Sequence, residues 1–229
     1  MTIQIDRYIS DAEIETHATA ILQKYGRKFK PISAPPVPIE EIIDLVVDIP
    51  IVREAIPDYR GSPVLAKLVA RGYPHPALEI IVNENKQLFF DQYKGTEEYS
   101  LAHELGHDVL HIDHGSLNTL LLPDTQEQSV TLCRMNSNEE RDRNAKRREF
   151  QAERFAACIL MPQGLLRAAC ARVDIYHWPD LYALKDQFRV TISALTNRLK
   201  ELHLVAITRD KKLVPYQGQQ TMHSNSLWE

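Results

Sequence analysis

The sequence predicts an α+β fold in which a small β-sheet lies beside two long helices, with a short helical module following. Two observations carry this expectation. Three short runs rich in Val, Ile and Leu, namely IPIV near residue 50, VLAKLVA at 64–70 and ALEIIVN at 77–83, are separated by Gly, Pro and Asn punctuation and read as consecutive strands. The segments YSLAHELGHDVLH and NEERDRNAKRREFQAERFAACILM instead carry helical spacing of their apolar residues. With 229 residues, the chain has room for one domain or one plus an appendage, and we expect a domain over 1–162 followed by a helical module over 163–229.

Each element has a local reason. Ser10 with Glu13 three residues later is a capping box. It opens a helix carrying Ile14, Ala18, Ile21 and Leu22, which Gly26 is expected to close. The stiff connector PISAPPVP leads through its last proline into the short helix IEEIIDLVV. After Gly95, Thr96 is the expected N-cap of the next helix, with Glu97 and Glu98 in the first turn, where negative charge suits the helix dipole. Ser137 and Glu140 form a second capping box. The long helix behind them stops at Met161-Pro162 because proline cannot continue it. Its first half is almost wholly charged and reads as a solvated face; its second half is apolar and should be buried. Residues 163–214 read as three short helices and a β-like tail.

Composition narrows the functional classes. The net charge of −4 argues against a polycation that seeks nucleic acid, and 44% hydrophobic with 25% charged residues is ordinary for a globular chain. No apolar run approaches a membrane span, and MTIQIDRYISDAE lacks the apolar core of a signal peptide. Cys133, Cys158 and Cys170 are odd in number and form no C-x-x-C, so a reducing, cytoplasmic setting is expected. Cys158 and Cys170 sit in apolar helical contexts as small core residues, and Cys133 sits in a polar loop. Trp178 and Trp228 carry no functional signal.

Of the nine histidines, four fall within 103–114. His103-Glu104-Leu105-Gly106-His107 is H-E-x-x-H on a predicted helix. Four residues turn a helix by about 400° and advance it by about 6 Å, so the two imidazoles share one face and can pinch one ion. Glu104 lies about 100° round from His103, beside the ion without binding it, which is the place for a general base. Zinc suits imidazole nitrogen, and a catalytic zinc site keeps three protein ligands and one open position. The competing reading is a helix with two ordinary histidines. Leu101, Ala102, Leu105, Val109 and Leu110 disfavour it, because buried histidines and a buried glutamate need partners.

The third ligand must come from elsewhere. His111 shares the face but sits about 12 Å along from His103. The metzincin pattern would want Gly at 110 and His at 113, where this chain has Leu110 and Asp113. Glu149 is the better candidate, placed where the long helix turns from charged to buried. Glu153, one turn on, could take the N–H of a ligating histidine. Ala152, Ala156 and Ala157 would let another helix approach closely.

These segments carry a resemblance. PPVPIEEII, IIVNEN, EYSLAHELGHDVLH and above all EFQAERFAACILMP, which follows an E-x-Q-A-x-x-F-A-x-x-x-L-M-P-like pattern, resemble the ImmA/IrrE-type zinc metallopeptidases of bacteria and their phages. The resemblance covers most of the chain. It implies a zincin-like domain, zinc held by His103, His107 and Glu149, and Glu104 as catalytic base. It also implies a protein substrate, namely a helix-turn-helix transcriptional repressor cut to release its regulon, and thereby roles in transcription regulation and stress response. Glu153 stands where the family often has Asn or Asp, and the segment 112–148 is longer than the resemblance leads one to expect. Candidate oxyanion donors are Tyr99, His111, Tyr176 and His177.

A different class of function rests on residues 179–203, PDLYALKDQFRVTISALTNRLKELH, which resemble a helix-turn-helix with a wing-like hairpin over Val205–Val214. That reading would set Thr191, Ser193, Asn197 and Arg198 near base edges or phosphates. Its alternative is an αα corner packed on the peptidase, or a toxin–antitoxin-type docking surface. The few bases there, Lys185, Arg189, Arg198 and Lys200, weigh against nucleic acid.

Overall fold

The computed structural model describes residues 5–59, 61–71, 77–115, 130–131 and 139–216, with backbone alone at 130–131 and 139–142. Cys133, Trp228 and the capping residue Ser137 lie outside the described residues, as does most of the 112–148 segment.

Helix α1 spans Asp11–Lys28 and opens on the expected capping box: the Ser10 hydroxyl accepts from the Glu13 amide, and the Ser10 amide donates to the Glu13 carboxylate at 2.8 Å. Gly26 does not end it. The helix runs through Gly26 to Lys28, and Pro31 packs against that glycine, where a Cβ would sit 3.3 Å from the Pro31 Cα. Helix α2 covers Ile39–Ile42 and passes into a π-helical turn, Ile43–Val47, that Asp48 ends in the left-handed region. Lys24 and Lys28 donate to the carbonyls of Val46 and Leu45, closing that turn against α1.

The three β-like runs form strands β1 (Ile51–Glu54), β2 (Ala66–Arg71) and β3 (Ala77–Asn83). With β4 (Val130–Thr131) they make one mixed sheet in the order β1-β3-β2-β4. The β1–β3 pair is parallel, with Val52 opposite Ile81. The β2 strand is antiparallel to both its neighbours, with Leu68 opposite Ile80 and Val69 opposite Thr131. Alternation decides the faces. Leu68, Ala70, Ile80 and Val82 enter the main core, whereas Val69 and Ile81 pack with Ile56 on the other side.

A short α3 (Gln87–Gln92) leads to α4 (Thr96–His111), whose N-cap is Gly95 rather than Thr96. The Thr96 hydroxyl turns back to the Tyr93 carbonyl instead. Gly95 has a φ of 87°, and a Cβ there would lie 2.6 Å from the Arg189 carbonyl, so both conformation and space require glycine. Helix α5 (Glu139–Leu160) packs along α4. The closest approach falls at Gly106, where a Cβ would come within 3.1 Å of Ala152. Of the half of α5 expected to be buried, FQAERFAACILM, Gln151, Ala152 and the run Phe155–Met161 are buried, whereas Phe150 and Glu153 are exposed. Its charged half is less uniform: Arg143 is exposed, but Arg148 is buried in an ion pair with Asp6.

The C-terminal residues form α6 (Gln163–Cys170), α7 (Trp178–Phe188), α8 (Ile192–Glu201) and a hairpin of β5 (Val205–Ile207) with β6 (Leu213–Pro215). Their Leu181, Leu184, Phe188, Leu195 and Leu199 join the same hydrophobic core as Leu101 and Phe155. Arg198 is fully buried: its guanidinium donates twice to Glu15 and once to the Met161 carbonyl. This corrects the sequence reading that set Arg198 towards a nucleic-acid surface. The contacts of α8 with α1 and α5 turn that side chain inward. Among the described residues no helix is long and apolar enough to cross a membrane.

Candidate metal centre

Helix α4 presents His103 and His107 on the face that meets α5, and α5 presents Glu149 opposite them. The helical spacing does what it predicts: the two Nε2 atoms stand 3.0 Å apart, with ring planes at 83°. Glu149 bridges them, Oε2 lying 3.3 Å from His103 Nε2 and Oε1 3.4 Å from His107 Nε2. One donor atom from each residue lies within 4.8 Å of the others. Donors held about 2.0–2.1 Å from a tetrahedral ion stand about 3.3 Å from one another, so the observed spacings match the edges of such a tetrahedron. The three residues can hold a metal ion, and two imidazoles with one carboxylate fit zinc.

Packing explains why the spacings are so short. Gly106, on the α4 side, and Ala152, on the α5 side, remove side-chain bulk, and the helices close until backbone nearly meets backbone. The Asp6–Arg148 ion pair pins α5 one residue before Glu149, and the Ile5 amide donates to the His111 carbonyl at 2.8 Å at the end of α4. The segment ahead of α1 therefore braces both helices.

The electrostatics favour a cation. Burial would raise the Glu149 carboxyl, but its contacts with His103 and His107 outweigh this and hold it well below the usual carboxylate range. Burial presses His103 towards the neutral form, yet the hydrogen bond to Glu149 and the charges of Glu104, Glu149 and Glu153 lift it above the ordinary histidine value. A carboxylate this stabilised, beside a His103 imidazole shifted towards its charged form, describes a pocket that suits positive charge.

Glu104 borders this group and is buried. Its Oε2 accepts from the Leu68 amide of β2 at 2.8 Å, and its Oε1 accepts from no described residue. One oxygen is thus anchored to the sheet and the other remains free for a proton.

The other sequence candidates separate. His111 lies outside the group of possible ligands, as its position along the helix predicts. It is also no oxyanion donor, because it is fully buried behind His107, with its Nδ1 3.2 Å from the His107 Nδ1 and its Nε2 3.0 Å from Gln151 Oε1. Burial pushes its pKa down to about 4, so it is neutral. Tyr99 is one turn before His103 and donates to the Glu153 carbonyl at 3.2 Å; burial, then the charge of Glu153, push its pKa up to about 12. His177 is occupied by Asp180 at 3.1 Å, and Tyr176 is exposed. The Glu153 carboxylate is exposed and takes no hydrogen bond from His103 or His107. It lines, with Tyr99, Phe150, Arg154, Asn197 and Lys200, a groove of about 490 Å³ between α4, α5 and α8.

Sequence reasoning missed the Leu68 amide and Gln151. The first leaves no side-chain signature; the second was visible as a polar residue inside an apolar run, two positions after Glu149.

No curated protein matches the chain. The IrrE N-terminal-like domain of peptidase family M78 matches residues 65–200, more than half of the chain, including β2, the H-E-x-x-H helix and Glu149. With that match standing over a site of this geometry, the chain belongs to the M78 family of metallopeptidases.

Proposed function

We propose that the protein is a zinc-dependent endopeptidase acting on a regulatory protein, with His103, His107 and Glu149 as zinc ligands and Glu104 as general base. The observation that carries this reading is the set of three donor atoms at 3.0–3.4 Å with the half-anchored carboxylate of Glu104 beside them. A zinc ion held there supplies Lewis-acid polarisation of a carbonyl and acidifies water. The chain's own part is proton handling and positioning. The free Oε1 of Glu104 accepts the proton of the attacking water, and the same carboxylic acid then delivers it to the departing amine. The Leu68 amide keeps that carboxylate aimed through both transfers. Tyr99, which stays protonated at neutral pH, is the candidate hydroxyl donor to the developing oxyanion, a role that requires its O–H to turn from the Glu153 carbonyl. Glu153, the remaining acid on this side of α5, is kept as a candidate to orient His103 through its charge.

The resemblance supports a helix-turn-helix repressor as substrate and, with the reduced cysteines, a cytoplasmic setting. The groove of Tyr99, Phe150 and Asn197 supports residues 163–229 as a docking extension to the catalytic part at 1–162, the division being one of task over a shared core. Incubating the purified protein with candidate helix-turn-helix repressors tests this. Cleavage by the parent and none by Glu104→Gln is the expected result; equal cleavage by both removes the assigned base.

A further inference from the structure

We infer that Ile9, Gln151 and His111 form a one-directional hydrogen-bond relay that fixes His107 as the tautomer whose Nε2 carries the lone pair. His111 is thereby a positioning residue for the metal site, and not a ligand. The inference rests on His107 binding metal.

Heavy-atom contacts assign every proton in the relay. The Gln151 Nε2 lies 3.3 Å from the Ile9 carbonyl, which can only accept. The amide nitrogen must therefore face Ile9, which turns Oε1 towards His111. Gln151 Oε1 is 3.0 Å from His111 Nε2, and an amide oxygen is an acceptor, so that ring nitrogen carries hydrogen. A neutral imidazole has one donor and one acceptor, leaving His111 Nδ1 to accept. It lies 3.2 Å from His107 Nδ1, which must then donate. The His107 proton is thus on Nδ1, and its Nε2 is bare, facing His103 and Glu149 at 3.0 and 3.4 Å.

Burial gives the chain its force. His107, His111 and Gln151 are 1%, 0% and 2% exposed, so no water can replace a mismatched partner. Reversing any one link sets two lone pairs or two hydrogens against each other in a dry interior, where an unmade hydrogen bond is costly. Ligating histidines generally give their second N–H to a carboxylate or carbonyl. Here a second imidazole takes that place and passes the constraint across α5 to the backbone of the N-terminal segment. A neutral acceptor leaves the charge of the site unaltered, where a carboxylate would add one.

The full-length protein, stripped of metal by a chelator, answers this directly. Two-bond 1H–15N correlation spectra at pH 7.5 should show His107 with its proton on Nδ1 and His111 with its proton on Nε2; His107 protonated on Nε2 overturns the relay without any variant. Gln151→Met, similar in size but without the acceptor, should weaken zinc affinity by about 10- to 100-fold in a competition with a chromophoric chelator. Gln151→Glu, which keeps an acceptor towards His111, should recover most of it. An unchanged affinity in Gln151→Met, or equal losses in both variants, also overturns the relay. Zinc affinity that survives His107→Ala fails the underlying ligand assignment instead, so the two failures are told apart.

Discussion

The Glu104 carboxylate and the Leu68 amide are joined by a 2.8 Å hydrogen bond that ties the H-E-x-x-H helix to the sheet. The bond uses one oxygen of a buried carboxylate and leaves the other unanchored, so it separates a structural role of Glu104 from its proposed role as base.

That separation predicts different outcomes for two substitutions. Glu104→Gln keeps an oxygen for the Leu68 amide, so it should unfold at the parent's denaturant midpoint while losing at least about 10²-fold in peptide hydrolysis. Glu104→Ala strands a buried N–H and should lose a further 1–3 kcal/mol, roughly, in stability. Urea titrations beside a peptide-cleavage assay distinguish them; equal stabilities would show that the Leu68 bond contributes nothing.

Gly106 sets how closely α4 and α5 meet. An alanine there places its Cβ 3.1 Å from the Ala152 backbone, which has no free end to swing away. Gly106→Ala should therefore cost about 1–3 kcal/mol by overpacking, despite the better helix propensity of alanine. It should also spread the donor atoms and weaken metal binding. A variant as stable as the parent, with the parent's metal affinity, would show that the helices can part freely.

Arg198 is spent inside the protein. Replacing it with methionine leaves Glu15 without its cationic partner, with only the Cys158 thiol still donating to it, and we expect a loss of about 3 kcal/mol, the lower end for a buried pair because Glu15 is partly exposed. Arg198→Lys should recover less than half, since lysine cannot reproduce the two-pronged contact. A midpoint unchanged in Arg198→Met, with reduced retention of DNA in a gel shift, would return this residue to the nucleic-acid reading.

Burial pushes the Cys158 thiol up to about 12 and the Cys170 thiol to about 11. The fold therefore disfavours both thiolates, and the stability this contributes is present below the ordinary thiol pKa and lost as pH rises through these values. At pH 8 neither should be alkylated by iodoacetamide within an hour in native buffer, and both should react on addition of denaturant. Site-resolved mass spectrometry checks this, and rapid native labelling of Cys158 would contradict it.

Much of this was legible because the signals were local. The spacing of His103 and His107 is a property of one helix, and the β runs at 66–71 and 77–83 keep their identity whatever packs on them. Glu149 was legible because a charged run ended there and an apolar one began. The rest depended on tertiary contact. Gly26 looks like a helix stop until Pro31 is seen against it, and Arg198 looks like a surface cation until Glu15 and Met161 are found around it. The offset of His111 along α4 already set it apart from His103 and His107, but the Gln151 side chain behind it, which no spacing within α4 reveals, was found only in the structure.

Zinc K-edge X-ray absorption on the purified full-length protein tests the central assignment most directly. We predict one zinc per chain in a shell of nitrogen and oxygen at about 2.0–2.1 Å, with scattering from two imidazoles and none from sulfur. Absence of stoichiometric zinc, a sulfur shell, or a third imidazole would contradict it.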